Sequence, residues 1–182
     1  MKQVNWGIIG LGTIATKIAD AFKLSKNATL LAVASKDKDK LKYFKENFNI
    51  KEDYCFNSYD ELLKSKKIDI VYIALPNSFH FEWVLKCIEN QKKIVVEKPA
   101  VLNFKEINIL KERIGDIFFA EAFMYAYHPQ TKKVIDLIAK NKIGKLISME
   151  SSFGINIMTK KNFLGFTTKK KLIKKVEFLI RI

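Results

Sequence analysis

The sequence predicts an α/β fold, a doubly wound parallel sheet with helices on both faces. Short apolar segments alternate with helical ones over about 120 residues, which is the pattern of parallel strands joined by helices. The run from Asp69 to Leu75 is too continuously apolar for an edge strand, so we expect it at the centre of the sheet. A Gly-x-Gly-x-x-Ala turn joins the first apolar strand to a helix, as in sheets of this class.

The predicted elements follow in order from the N-terminus. The helix after the glycine turn carries apolar residues at helical spacing, at Ile14, Ile18, Ala21 and Phe22. Further strands are predicted at 28–34, 69–75, 93–97 and 117–121, and helices at 37–48, 58–66, 78–90 and 103–113. The third helix begins with Ser58 followed three residues later by Glu61, which predicts a capping box.

The glycine turn lies in the run VNWGIIGLGTIA, residues 4–15. Gly10 supplies the tight turn, Gly12 lacks a Cβ and lets the backbone approach a pyrophosphate, and Ala15 allows close packing of helix on strand. The free N–H groups at the helix N-terminus then face the phosphates. The turn therefore predicts a dinucleotide site that includes Gly10, Gly12, Thr13 and Ile14.

The formal charge of +14 suggests a nucleic acid or an anionic membrane until its makeup is considered. Of the 33 basic residues, only Arg113 and Arg181 are arginine, whereas surfaces that read bases favour the arginine fork. Half of the net charge lies in residues 159–182, where the single acid is Glu177. We therefore expect no nucleic acid partner.

The two cysteines, Cys55 and Cys87, lack the spacing of metal ligands. We expect two reduced, buried thiols in a cytoplasmic protein, and no metal site. No apolar segment approaches the length that spans a bilayer, so no membrane partner is expected.

The end of the second strand, Ala34-Ser35-Lys36, discriminates between cofactors. An acid at this point would bind the ribose 2′-hydroxyl of NAD, and none is present. Ser35 can donate a hydrogen bond to a 2′-phosphate and Lys36 can pair with it, which favours NADP. Asp37 could take the ribose role instead, so NAD stays an alternative.

Two further motifs follow later strands: ALPNSFH at residues 74–80 and VVEKP at residues 95–99. Together with GIIGLGTIA they resemble the glucose-fructose oxidoreductase / inositol 2-dehydrogenase family (Gfo/Idh/MocA) of NAD(P)-dependent sugar and diol dehydrogenases. The later run EAFMYAYHPQ, residues 121–130, is most similar to the branch of dimeric dihydrodiol dehydrogenases and xylose dehydrogenases. The resemblance implies a Rossmann domain followed by a second α/β domain, which is incomplete in this chain.

The resemblance also implies an activity, hydride transfer between a nicotinamide cofactor and a secondary alcohol or carbonyl of a sugar or diol. Lys98 matches the catalytic lysine of the family, which hydrogen-bonds the reacting oxygen, and Pro99 is expected to follow a cis bond. The remaining expected cofactor contacts match the same motifs: Leu75, Pro76, Asn77, His80, Glu97 and Lys98 itself. Outside them, His128 has the stronger interpretation of a structural residue at the start of a helix over 129–139.

The chain departs from the family pattern at two site positions. Ala126 stands where the dihydrodiol branch usually has arginine, and no residue matches the family's acid/base partner of Lys98. We therefore keep an alternative function, a dinucleotide-binding module without turnover. The homodimer of the full-length family is an expectation of the resemblance that this length leaves open.

The predicted domains are a dinucleotide domain at 1–122, the start of a substrate and dimerisation domain at 123–158, and a basic tail at 159–182. The family pattern stops abruptly at the tail, which we interpret as a shifted reading frame or an early end of the frame. The competing interpretation is an amphipathic helix, because five apolar residues recur at helical spacing: Leu172, Ile173, Val176, Leu179 and Ile180.

Overall fold

The computed structural model describes residues 3–153 and 176–180, with side chains described for residues 3–151. The chain divides into two compact units, Met1–Met124 and Tyr125–Ile182. The division into the three predicted ranges stays a prediction.

The first unit contains a parallel sheet of six strands in the order β3-β2-β1-β4-β5-β6. The strands are β1 Val4–Ile9, β2 Ala28–Ala34, β3 Cys55–Phe56, β4 Ile70–Ile73, β5 Lys93–Val96 and β6 Phe119–Glu121. This order is that of a doubly wound sheet, with its switch point between β1 and β4. The predicted fold class is confirmed, and β4 lies inside the sheet with every residue buried, as its apolar run predicts. The sequence does not predict β3, because two residues are too few to show a period.

Five helices connect the strands: α1 Thr13–Phe22, α2 Lys38–Phe48, α3 Tyr59–Lys64, α4 His80–Glu89 and α5 Phe104–Arg113. Each lies within a predicted helical segment. Asp37 caps α2 and Asn103 caps α5, both through the side chain, which fixes where these two helices begin. A short 3-10 turn, Asn77–Phe79, precedes α4.

The core lies in two layers, one on each face of the sheet. Successive residues of a strand point to opposite faces. Ile8 and Val33 therefore pack with α1 and α2, while Ile9 and Ala34 pack in the layer that contains α3, α4 and α5.

The predicted apolar face of α1 is partly wrong. Ala15 and Ala19 are the buried residues of this helix, whereas Ile14 and Ala21 are exposed. Ala15 packs closely on the sheet, as the glycine turn predicts, and Ala19 packs in the same way one turn later; the spacing of large apolar residues does not register such close packing.

The predicted capping box of α3 does not form. Ser58 begins the helix through its backbone and makes no side-chain cap hydrogen bond. The helix also ends at Lys64, earlier than predicted, because the backbone turns extended at Ser65. The buried ammonium of Lys92 donates to the carbonyls of Ser65 at 2.6 Å and Ile68 at 2.9 Å, so these oxygens have partners outside the helix.

The second unit contains helix α6, Pro129–Ala139, and an antiparallel pair of strands, β7 Met149–Phe153 and β8 Val176–Ile180. The bounds of α6 are those predicted. The amphipathic-helix interpretation of the tail is wrong over 176–180, because these residues pair with β7 as a strand. Leu172 and Ile173 lie outside the described residues, and the reading-frame interpretation stays a prediction.

Both cysteines are free. Cys87 is buried and burial raises the pKa of its thiol to about 12. Cys55 is only half-buried, which corrects the expectation of two buried thiols, because it lies in the edge strand β3. Among the described helices, none is long and apolar enough to cross a bilayer.

Candidate functional site

The candidate site lies at the carboxyl edge of the sheet, where β1, β2, β4, β5 and β6 end. Ile9 pairs with Ala34 and with Ile73, Ile73 pairs with Val96, and Val96 pairs with Glu121. The loops that follow these paired residues therefore begin side by side. In a doubly wound sheet this edge is where ligands bind.

Gly10 forms the turn after β1 in a conformation that other residues adopt with strain. Its φ is +85°, and its N–H donates to Ala34 C=O at 3.2 Å. A Cβ on this residue would lie 2.7 Å from both the Ala74 carbonyl oxygen and Leu75 Cδ2. Gly10 is therefore required by the turn and by the close approach of the loop after β4.

Gly12 differs from Gly10, because a Cβ built on it would meet nothing within 4 Å. It is the N-cap of α1, and the first helical hydrogen bond runs from Thr16 N–H to Gly12 C=O at 3.2 Å. The helix has no side-chain cap and no acid in its first turn, and Thr13 and Ile14 are exposed. Open space thus lies before N–H groups that are suited to an anion.

The loop after β2 contains Ser35, Lys36 and Asp37. Ser35 is buried, and its hydroxyl oxygen accepts from Asp37 N–H at 3.1 Å. The Asp37 carboxylate accepts from the N–H groups of Asp39 and Lys40, each at 3.1 Å, and pairs with the Lys40 ammonium at 3.2 Å. Lys36 is exposed and has no ion-pair partner among the described residues.

The loop after β4 exposes Pro76 and Asn77, half-buries Leu75 and buries His80 completely. The His80 ring contacts two backbone carbonyls, Pro99 O from Nδ1 at 2.7 Å and Leu75 O from Nε2 at 2.8 Å. Since a carbonyl oxygen only accepts, each of these hydrogen bonds uses a ring N–H; a neutral ring donates one and a doubly protonated ring donates both. His80 therefore joins the loop after β4 to the loop after β5.

The loop after β5 presents Lys98 on the surface at the same edge. The ammonium has no ion-pair partner in the part of the chain that the structure describes, so it is free for another ligand. The Lys98-Pro99 peptide bond is cis, as the resemblance implied.

Glu97 and Tyr72 form a contact beside Lys98. The Tyr72 hydroxyl donates to Glu97 Oε1, and Glu97 Oε2 accepts from Lys98 N–H at 3.3 Å. Burial first, and then the hydrogen bond to Glu97, raise the pKa of the Tyr72 hydroxyl above its ordinary range. Both carboxylate oxygens of Glu97 are thus occupied by groups of this chain.

Glu121 is a residue of the site to which sequence reasoning gave no role. It ends β6, and its Oε1 accepts from Ala100 N–H at 2.9 Å. The sequence signal for this role is an acidic residue at the last position of a strand. Glu121 and Ala100 are 21 residues apart, so only the sheet brings them together.

His128 belongs to the second unit, where it caps α6. Its Nδ1 accepts from Gln130 N–H at 3.2 Å, which agrees with its structural interpretation. Within the described residues, no group of three or more His, Cys, Asp or Glu side chains could hold a metal ion.

The geometry of the turn fits a dinucleotide. The positive φ of Gly10, the open space at Gly12 and the uncapped helix are features on which a pyrophosphate can bind. The family model for oxidoreductases with an NAD-binding Rossmann fold matches residues 4–115. The chain belongs to this family. The resemblance drawn from the three motifs is confirmed, and the cofactor class of the family is NAD(P).

Two curated relatives come from the predicted branch. The chain is 31% identical over 156 residues to trans-1,2-dihydrobenzene-1,2-diol dehydrogenase of Xenopus tropicalis, a match that covers 84% of this chain and 47% of that protein. It is 30% identical over 155 residues to D-xylose 1-dehydrogenase (NADP(+)) 2 of Haloferax volcanii, covering 84% of this chain and 46% of that one. The chain thus spans about half the length of the curated relatives it matches.

A solved structure supports the fold. Scyllo-inositol dehydrogenase from Lactobacillus casei, with bound NAD(H) and scyllo-inositol, has a TM-score of 0.77 to this chain. The match covers 85% of this chain and 46% of that one at 24% identity, which is a likeness of fold alone.

Proposed function

We propose that this chain binds NADP(H) at the carboxyl edge of the sheet, in preference to NAD(H). We propose further that the protein transfers a hydride between that cofactor and a secondary alcohol or carbonyl of a sugar or diol. One observation carries the proposal: the glycine turn, open at Gly12, and the Lys98 ammonium, which has no ion-pair partner among the described residues, lie at the same edge of the sheet.

Lys98 acts on the substrate oxygen in this proposal. That oxygen carries partial negative charge in the transition state of hydride transfer in either direction, and an ammonium that hydrogen-bonds it stabilises this charge. When bound, the nicotinamide ring supplies the acceptor or donor of the hydride. The absence of an ion-pair partner for Lys98 among the described residues leaves its N–H groups available for the oxygen.

The contacts of Asp37, the acidic residue in the loop after β2, support the preference for NADP. Asp37 is the residue that could accept from a ribose hydroxyl, and its carboxylate is held by α2 and by Lys40. The Ser35 oxygen accepts from Asp37 N–H, which leaves the Ser35 O–H group available to donate to a phosphate. Lys36 is the exposed cation of this loop, and a 2′-phosphate is an anion it can pair with.

The substrate class comes from the named relatives. One is named for oxidation of a ring diol and the other for D-xylose with NADP, and both substrates carry adjacent hydroxyl groups. The cytoplasmic location and the homodimer that the resemblance implies remain predictions.

Titration of the purified chain with NADPH and with NADH, followed by cofactor fluorescence, tests binding and preference. NADP⁺ with D-xylose or trans-1,2-dihydrobenzene-1,2-diol, followed by NADPH absorbance, tests turnover. Tighter NADPH binding with oxidation of either probe is expected. Tighter NADH binding would contradict the preference, binding without oxidation would favour a module without turnover, and binding of neither cofactor would overturn the proposal.

A further inference from the structure

The segment from Lys98 to Ala100 is held by other parts of the first unit. The Lys98 side chain is exposed and unpaired among the described residues, so it does not fix its own position. Pro99 has no N–H, and a proline can be held by hydrogen bonds only through its carbonyl. The position of the Lys98 ammonium therefore depends on what holds the backbone around it.

Three elements, β4, α4 and β6, contact the backbone of this segment. Glu97 N–H donates to Ile73 C=O of β4 at 3.0 Å, which continues the sheet up to the residue before Lys98. Two side chains contact the backbone beyond Lys98. The Nδ1 atom of His80, in α4, lies 2.7 Å from Pro99 O, and the Glu121 carboxylate, in β6, accepts from Ala100 N–H at 2.9 Å. The segment is thus anchored on both sides of Lys98 and from different directions.

Each of the two side-chain contacts has one buried end. His80 is fully buried and Ala100 is 8% exposed, whereas their partners Pro99 and Glu121 are exposed. A buried polar group that loses its partner costs more free energy than the average hydrogen bond contributes. Removal of His80 or of Glu121 therefore takes away one of the contacts that hold the segment, at the Pro99 carbonyl or at the N–H of the buried Ala100.

We propose that His80 and Glu121 are positioning residues, which fix the Lys98–Ala100 segment and so aim the Lys98 ammonium at the site. The use made of that ammonium rests on the proposed function; the anchoring itself does not. The role of His80 in this proposal is exerted through Pro99 and Leu75 rather than by contact with the cofactor.

The test compares Glu121→Ala, Glu121→Gln and a control, Glu106→Ala. Glu106 accepts a backbone N–H in the same way, from Leu102 at 2.7 Å, but at the start of α5. Amide exchange at Ala100 is expected to become about tenfold faster in Glu121→Ala. Glu121→Gln keeps an oxygen acceptor and is expected to retain the protection, and Glu106→Ala is expected to leave Ala100 exchange unchanged.

Kinetics provide the second readout with the same variants. In Glu121→Ala, kcat is expected to fall about tenfold or more with NADP⁺ and the probe that the wild-type chain oxidises. The KM for NADP⁺ is expected to stay within about twofold, because the Lys98 ammonium loses its orientation while the cofactor still binds. Glu121→Gln is expected to restore most of kcat. His80→Phe keeps a ring and removes both ring nitrogens. It is expected to lower kcat without raising the KM for NADP⁺ and replaces Glu121→Ala in the test if that variant does not fold.

Unchanged Ala100 exchange in Glu121→Ala, or equal effects of Glu121→Ala and Glu106→Ala, would overturn the inference. A parallel loss of kcat and of NADP⁺ binding would also overturn it, since it would indicate a general loss of structure. If the wild-type chain oxidises neither probe, the proposed function fails by itself, and the Ala100 exchange rates still decide whether the segment is held as inferred.

Discussion

The hydroxyl of Tyr72, inside the buried strand β4, donates a hydrogen bond to the carboxylate of Glu97 at the end of β5. Because burial raises the pKa of this hydroxyl, the proton stays on Tyr72 and the group remains a donor. The other Glu97 oxygen accepts from Lys98 N–H. Tyr72 thus orients a carboxylate that contacts the backbone of the proposed catalytic residue.

Tyr72→Phe is expected to lower the free energy of unfolding by about 1–2 kcal/mol, since a hydrogen bond to a charged group is lost in a buried place. Urea unfolding measures it. Tyr43→Phe removes a hydroxyl from an exposed tyrosine and is the matched control, with little expected change. Equal stabilities of the two variants would contradict the prediction.

Gly10→Ala and Gly12→Ala are expected to act on different properties. At Gly10 the φ of +85° and the 2.7 Å approach to the Ala74 carbonyl oxygen make a Cβ costly, by about 1–3 kcal/mol of unfolding free energy. Gly12 has a φ of −93° and open space, so its alanine variant is expected to lose only about 0.5–1 kcal/mol, because alanine is a poorer N-cap than glycine. It is expected to bind NADPH at least about tenfold more weakly. Thermal unfolding and NADPH titration measure the two effects, and equal losses of stability would refute this division.

Lys98→Met is expected to reduce turnover about 10²- to 10⁴-fold, the range for loss of a group that acts on the reacting oxygen. NADPH binding is expected to stay within about threefold, because the cofactor phosphates bind elsewhere on the edge. Lys93→Met, an exposed lysine at the other end of β5, is the control. A Lys98→Met chain that loses binding and turnover in parallel would indicate a structural role for Lys98 instead.

Lys36→Ala is expected to weaken NADPH binding by less than about tenfold and to leave NADH binding unchanged, since an exposed ion pair is worth roughly 0–1 kcal/mol. Lys42→Ala removes an exposed lysine from α2 and provides the comparison. Titrations with both cofactors measure the change. An equal loss of affinity for the two cofactors would contradict a contact with the 2′-phosphate.

Asp37 is expected to make stability depend on pH. The hydrogen bond from Lys40 N–H, followed by the Lys40 side chain, lowers the pKa of this carboxyl from its ordinary value of 3.8. A lowered folded pKa contributes stability that is present above the unfolded value and is lost as pH falls through the folded one. Asp37→Asn keeps a capping oxygen and removes the charge. Urea unfolding should therefore show a gap between wild type and variant at about pH 6 that closes towards about pH 2; a gap independent of pH would contradict the prediction.

The sequence determined the secondary structure to a large extent, because local patterns specify it. The strand 28–34 and the helix 129–139 have the predicted bounds. The glycine turn was also predictable, since a positive φ and a missing Cβ are properties of single residues. The failures lie where packing decides: the burial of Ala19 and the exposure of Ile14 in α1, and the unused cap at Ser58.

The sequence by itself determined the fold class and the glycine turn, and its resemblance to the family is what proposes Lys98 as the catalytic residue. Only the tertiary structure decided what holds Lys98 in place. His80 and Pro99 are 19 residues apart, and Ala100 and Glu121 are 21 apart. Such pairs have no local periodicity, and they meet only because β4, β5 and β6 lie side by side with their carboxyl ends aligned.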